Sequence, residues 1–249
     1  MSGHSKWATI KHKKGALDAK RGALFTKIIR ELTVAAKNGG GNPEANPRLR
    51  TVLQKAKEAN MPSDNIDRAI KKGTGELPGV IYEEVTYEGY GPGGTAILIE
   101  ALTDNKNRTT AEIRSALEKR GGNMSGAGSV AWQFSKKGLL LVKKETVGED
   151  KIMTIALDAG ASDFSSEKNH YEIVTEPHDF EQVKKAVVDA QIPLESAEVT
   201  KIPSATVTLN ATDAKAVLAL LESLEEHEDV QNVYSNADIS DQALGELGG

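Results

Sequence analysis

Apolar residues recur at three- and four-residue spacing through the first third of the chain. Leu24, Phe25, Ile28, Ile29, Leu32 and Ala36 fall on one face and predict a helix from Ala16. The run Asn38-Gly39-Gly40-Gly41-Asn42-Pro43 stops it. A second helix starts on Asn46 as cap with Pro47 at its first position, and presents Leu49, Val52, Leu53 and Ala56. A third is expected from a Ser63 cap, carries Ile66, Ala69 and Ile70, and stops at Gly73. Three amphipathic helices with short connections bury their faces against one another as a small bundle.

From Tyr82 the period changes to alternation, and strands are expected over 83–87 and 95–99, joined by Gly89-Tyr90-Gly91-Pro92-Gly93-Gly94. A helix follows from a capping box of Thr109 and Glu112, with Ile113, Ala116 and Leu117 inward and Gly121 at its end. Residues 130–134 read as a short strand. Then comes a complete βαββαβ series: strand 139–142, helix 150–159, strands 162–165 and 171–174, helix 180–190, strand 196–201. That order is the ferredoxin-like unit. A strand at 206–209, a helix at 214–224 and a strand at 230–234 complete the pattern, and residues past Asn236 read as a polar, acidic, frayed tail.

The flanks of the βαββαβ series lack partners by themselves. The fold class expected is therefore α+β: a three-helix N-terminal domain (1–78), a discontinuous α/β middle domain (79–136 plus 204–240), an inserted ferredoxin-like domain (137–203) and an acidic tail (241–249).

Charge changes the picture from fold to function. Residues 1–75 hold 16 Lys and Arg against 6 Asp and Glu, a balance of +10, whereas the remainder carries −15. A basic head on an acidic body points to a polyanionic partner. The candidate nucleic-acid contacts in the arm and first helix are Lys6, Trp7, Lys11, His12, Lys13, Lys14, Lys20, Arg21, Lys27 and Arg30. Lysine and arginine supply the donors phosphate oxygens need, and Trp7 is a candidate for stacking on a base. Arg68, Lys71 and Lys72 extend the surface, beside Arg48, Arg50, Lys55 and Lys57; Lys106, Asn107 and Arg108 are a secondary contact. The Gly121–Ser129 run has the composition of an anion-binding nest, but a flexible helix-to-strand loop is the reading favoured here.

Chemistry beyond binding finds no support. With no cysteine there are no disulfides or thiolate sites, and the five histidines (His4, His12, His170, His178, His227) are scattered without metal-ligand spacing. The glycines at 89–94 formally match a dinucleotide fingerprint, but a strand follows them where a helix is required. Neither a nucleophile elbow nor a phosphate-binding Gly-Lys-Ser/Thr loop occurs. No catalytic residue, cofactor or metal is expected. No membrane partner is expected either, and the default location is cytoplasmic.

Several motifs resemble the YebC family: Gly3-His4-Ser5-Lys6-Trp7, Ile10-Lys11-His12-Lys13-Lys14, Asp18-Ala19-Lys20-Arg21-Gly22, Arg68-Ala69-Ile70-Lys71-Lys72-Gly73, Tyr87-Glu88-Gly89-Tyr90-Gly91-Pro92-Gly93-Gly94 and Thr103-Asp104-Asn105-Lys106-Asn107-Arg108-Thr109. Ala23 and Ser63 depart from it, standing where the family often has lysine and a charged residue. The resemblance implies three domains and a role in gene expression. Bacterial members are described as DNA-binding transcriptional regulators, whereas mitochondrial relatives are translational activators, and bacterial members are also tied to stalled ribosomes. The expected partner is accordingly nucleic acid, ribosomal RNA or tRNA on a ribosome, or DNA; a protein-interaction scaffold is the alternative of another class. The arm's composition favours RNA, and no helix-turn-helix is evident because a long loop separates the first two helices.

Overall fold

The computed structural model describes the backbone of residues 18–239 and the side chains of residues 22–239. Among the described residues three helices come first: α1 (Asp18–Gly39), α2 (Pro47–Glu58) and α3 (Ser63–Thr74). Asn46 ties the first two together. Its carboxamide nitrogen donates to the carbonyls of Ala35 and Gly40, both at 2.8 Å, while its oxygen accepts from Leu49 N–H at 3.0 Å. One buried side chain thus satisfies the end of α1 and the start of α2. Ile28, Leu32, Ala35, Leu49, Val52, Ala56, Met61 and Ala69 form the core beneath.

The ends of α3 differ from expectation. Pro62, not Ser63, is the N-cap, and no side chain caps there. The helix continues through Gly73 to Thr74 and ends on Gly75 at φ 84°. Gly73 serves packing instead: a Cβ there would lie 2.3 Å from the Thr33 carbonyl oxygen, so only glycine lets α1 and α3 cross this closely. The turn between α2 and α3 is short, residues 59–62, with Asn60 at φ 54°. The spacing of a helix-turn-helix therefore does exist, between the second and third helices.

The middle sheet has the order β3-β1-β2-β9, from β1 (Glu83–Tyr90), β2 (Ala96–Thr103), β3 (Asn123–Ser125) and β9 (Val230–Ser235). Helices α4 (Lys106–Lys119) and α7 (Ala211–Glu225) cover one face, burying Ile97, Ile99, Ile113, Leu117, Val217, Leu220 and Leu224. Asn105 caps α4, accepting from Arg108 N–H at 3.1 Å, so Thr109 lies inside the helix and the expected Thr109–Glu112 box does not form. The acidic end also departs from expectation: β10 (Ala237–Ile239) pairs in parallel with β8 (Val207–Leu209), and Ala237 and Ile239 are buried. Alternating apolar residues in so short a stretch were masked by Asp238 and Asn236. The expected acidic tail, 241–249, lies outside the described residues.

Between β3 and β8 lies the second sheet, order β5-β6-β4-β7, from β4 (Phe134–Lys143), β5 (Asp163–Ser166), β6 (His170–Thr175) and β7 (Ser196–Pro203). Helices α5 (Glu149–Asp158) and α6 (Phe180–Asp189) pack on it through Leu140, Val142, Ile152, Ile173, Val183 and Val187. All its pairings are antiparallel, which is the ferredoxin-like arrangement the element order predicts. The expected strand over 130–134 is instead a 3-10 turn, Ala131–Gln133, leading into the longer β4. Among the described residues no helix is long and apolar enough to cross a membrane.

Candidate nucleic-acid interface

The exposed face of α3 carries Arg68, Lys71 and Lys72, spaced so that all three project from one side, opposite the core-facing Ile66, Ala69 and Ile70. None of the three forms an ion pair among the described residues. On α2, Lys57 is likewise exposed, Lys55 pairs with Glu31 at 3.2 Å, and Arg50 donates to the carbonyls of Pro43 and Glu44. Lys6, Trp7, Lys11, His12, Lys13 and Lys14 lie outside the described residues. Lys20 and Arg21 sit in the first turn of α1, and their side chains are outside the described set.

Arg30 and Lys27 point the other way. Arg30 is 7% exposed, and its guanidinium enters the middle domain. There it donates to both Asp229 and Glu228, to the Glu228 carbonyl at 3.0 Å and to the Leu102 carbonyl at 3.3 Å, with Tyr82 stacked at 5.4 Å. Lys27 Nζ donates to the Glu225 carbonyl at 2.6 Å. These two side chains, counted from sequence as phosphate contacts, are engaged in joining two domains in this conformation. Helical periodicity shows which face of α1 is polar, but not that an acidic domain lies against it.

Asp229 collects partners from three directions. Its Oδ2 accepts from Arg108 at 2.8 Å and from Thr109 Oγ1 at 2.6 Å, while Oδ1 takes Arg30. Burial alone would raise the carboxyl pKa. The hydrogen bonds from Thr109, Arg108 and Arg30, with the Arg30 charge, overcome that and hold it at about 2. Arg108, the secondary candidate, also pairs with Asp104 at 3.0 Å, leaving Lys106 and Asn107 exposed beside it. Nearby, His227 Nδ1 accepts the Asp229 N–H at 3.1 Å, which puts the ring proton on Nε2, 2.9 Å from Glu112. Glu112, His227 and Asp229 offer ligand atoms within 4.8 Å of one another, but both Asp229 oxygens and both ring nitrogens already have partners.

The glycine-rich run after α4 does form an anion nest, and its occupant is internal. Glu88 Oε1 accepts from Gly128 N–H at 2.7 Å, and Oε2 from Val130 and Ala131 N–H at 2.6 and 2.8 Å. Burial of Glu88 opposes ionisation, yet these amides keep its carboxyl below the usual range. The same loop fixes Trp132, whose indole donates to the Ser129 carbonyl at 3.1 Å while the ring stays 73% exposed. Sequence reading missed Glu88, Asp229 and Trp132. Only the composition of the glycine run hinted at the first.

A three-helix head rich in lysine and arginine, clasped by a buried arginine to a discontinuous acidic domain with a ferredoxin-like insertion, defines a three-domain class of protein. The chain belongs to the TACO1/YebC family. Residues 5–76 match its N-terminal domain and residues 82–237 its second and third domains. A "Probable transcriptional regulatory protein" of Natranaerobius thermophilus is 57% identical over 98% of this chain and 99% of its own. "Probable transcriptional regulatory protein GSU1074" of Geobacter sulfurreducens is 56% identical over 99% of this chain and 100% of its own. The crystal structure of a conserved hypothetical protein, Aq1575, from Aquifex aeolicus superposes with a TM-score of 0.82 at 46% identity, covering 95% of this chain and 98% of that one.

Proposed function

We propose that this protein is a non-enzymatic regulator of gene expression that binds nucleic acid through its N-terminal domain, and that its target is RNA of the translating ribosome. The observation that carries the reading is the α3 face, where Arg68, Lys71 and Lys72 stand exposed without ion pairs among the described residues. They add to the basic composition of residues 1–17, none of which is acidic. Such a surface engages phosphates without needing a regular groove, which suits irregular RNA.

The relatives' names favour a second reading, control of transcription through DNA. The short turn between α2 and α3 supports it, since a second helix after such a turn commonly enters the major groove. The charge along α3 argues against it. A groove-entering helix leads with its N-terminal residues, and here those include exposed Asp64 and Asp67, with the cations in the last two turns.

Binding of the purified protein to duplex DNA and to ribosomes across a salt series separates the readings. RNA targeting predicts saturable ribosome binding, lost on changing Lys11, Lys13 and Lys14 to Glu, beside weak DNA binding that disappears with salt. A sequence-selective DNA complex that survives physiological salt would replace the first reading with the second.

A further inference from the structure

The joint between the N-terminal and middle domains is made of charge. The apolar cluster of the three helices and that of the middle sheet share no residue. Among the described residues three cations cross the gap. Lys27 meets the Glu225 carbonyl, Arg30 enters the site of Asp229 and Glu228, and Arg48 on α2 pairs with Glu84 on β1. Glu84 lies directly across the sheet from Leu102, whose carbonyl accepts from Arg30, so the arginines dock on neighbouring strands. Their partners are carboxylates and carbonyls, the oxygen acceptors that a phosphodiester would present.

The covalent connection permits separation. Gly75 takes a left-handed conformation, and Leu77, Val80 and Ile81 in the connecting segment are exposed, Ile81 at 69%. Few apolar contacts hold this segment to either core, so its dihedral angles can change at low cost.

We propose that this face of the N-terminal domain is a masked polyanion-binding surface: the acidic edge of the middle domain occupies Lys27, Arg30 and Arg48 until nucleic acid replaces it. The proposal rests on the nucleic-acid reading above and extends it. With the domains closed, α3 and the arm supply the contacts. With the domains parted, three more cations become available on the face that the middle domain had covered. The carboxylates then set a threshold: a ligand must offer enough phosphates to displace Glu84, Glu228 and Asp229, and short or sparse polyanions fail to do so. Arg30 has one further capacity, since its Nε is buried without an acceptor in the closed form and gains one beside a phosphate.

Absence of cysteine in the chain allows two labels to be placed cleanly. Gln54→Cys on α2 and Lys215→Cys on α7 report the distance between the domains by energy transfer. Titration with a mixed-sequence RNA hairpin at low salt should lower the transfer efficiency as binding saturates. The double variant Glu84→Gln/Glu228→Gln leaves the Asp229 network with Arg108 and Thr109 intact. It should bind the hairpin about tenfold more tightly, because the hairpin no longer has to displace two carboxylates. Transfer that stays constant through saturation, or a double variant that binds no more tightly, would overturn the masking. Should the unsubstituted protein bind no RNA and no duplex DNA at low salt, the nucleic-acid reading itself falls. Binding with constant transfer removes the masking alone.

Discussion

Arg30 and Asp229, 199 residues apart in sequence, meet inside the protein as a buried ion pair, their side chains 9% and 2% exposed. The pair is asymmetric. Without Arg30, Asp229 keeps Arg108 and Thr109; without the Asp229 charge, two arginines lose their common partner. Asp229→Asn should therefore destabilise by about 3–5 kcal/mol, and Arg30→Met by less. Thermal unfolding of both variants checks the order, and an equal or reversed order would discount the network.

Acid should act through the same carboxyl. Its folded pKa of about 2 lies below its ordinary 3.8. The stabilisation is therefore present in full above pH about 4 and lost as pH falls toward 2, roughly 2 kcal/mol in all. The stability gap between the unsubstituted protein and Asp229→Asn, followed by urea unfolding, should narrow by that amount across this window. A gap independent of pH would show that the carboxyl titrates normally.

Replacing Arg68, Lys71 and Lys72 with Gln should weaken RNA binding and flatten its salt dependence by about 2 in log–log slope. Stability should stay within roughly 0.5 kcal/mol, because all three side chains are exposed. Binding isotherms at several salt concentrations decide it.

Gly73→Ala is a test of sign. Helix propensity alone predicts stabilisation of up to about 1 kcal/mol. The 2.3 Å approach of the added Cβ to the Thr33 carbonyl predicts loss of about 1–3 kcal/mol, as α1 and α3 are pushed apart. A more stable variant would mean that the helices shift freely.

Glu88→Gln removes a charge that three backbone amides share. Amide exchange at Gly128, Val130 and Ala131 should accelerate, and Trp132 fluorescence should report a looser loop. Unchanged exchange would assign the loop's order to Val130 and Phe134, which pack on the sheet.

How much of this was legible in the sequence follows from range. Asn46 with Pro47 is a local signal, and its cap formed where expected. The ferredoxin-like order was legible because each of its elements carries its own period. Gly73 and Thr109 were read as local punctuation, yet each answers to a distant element: Gly73 to Thr33 on α1, and Thr109 to Asp229 before β9. The polar faces of α1 and of α3 look alike in one dimension. Lys27 and Arg30 turn inward, Arg68, Lys71 and Lys72 outward, and only the packing of the second domain separates them.

The discontinuity of the middle sheet bears on how the chain is made. Ala96 N–H donates to the side chain of Asn236, 140 residues later, and β2 waits for β9 to complete its pairing. During synthesis the three helices and the whole ferredoxin-like unit emerge before that partner strand exists. Both can close their cores early, since their contacts lie within short spans, whereas β2 must stay half-paired. The insertion bounds the loop that has to be closed: once folded, it brings Phe134 and Pro203 side by side and turns a long excursion into a short one. A defect in the ferredoxin-like core should accordingly appear first as slow folding of the domain that surrounds it.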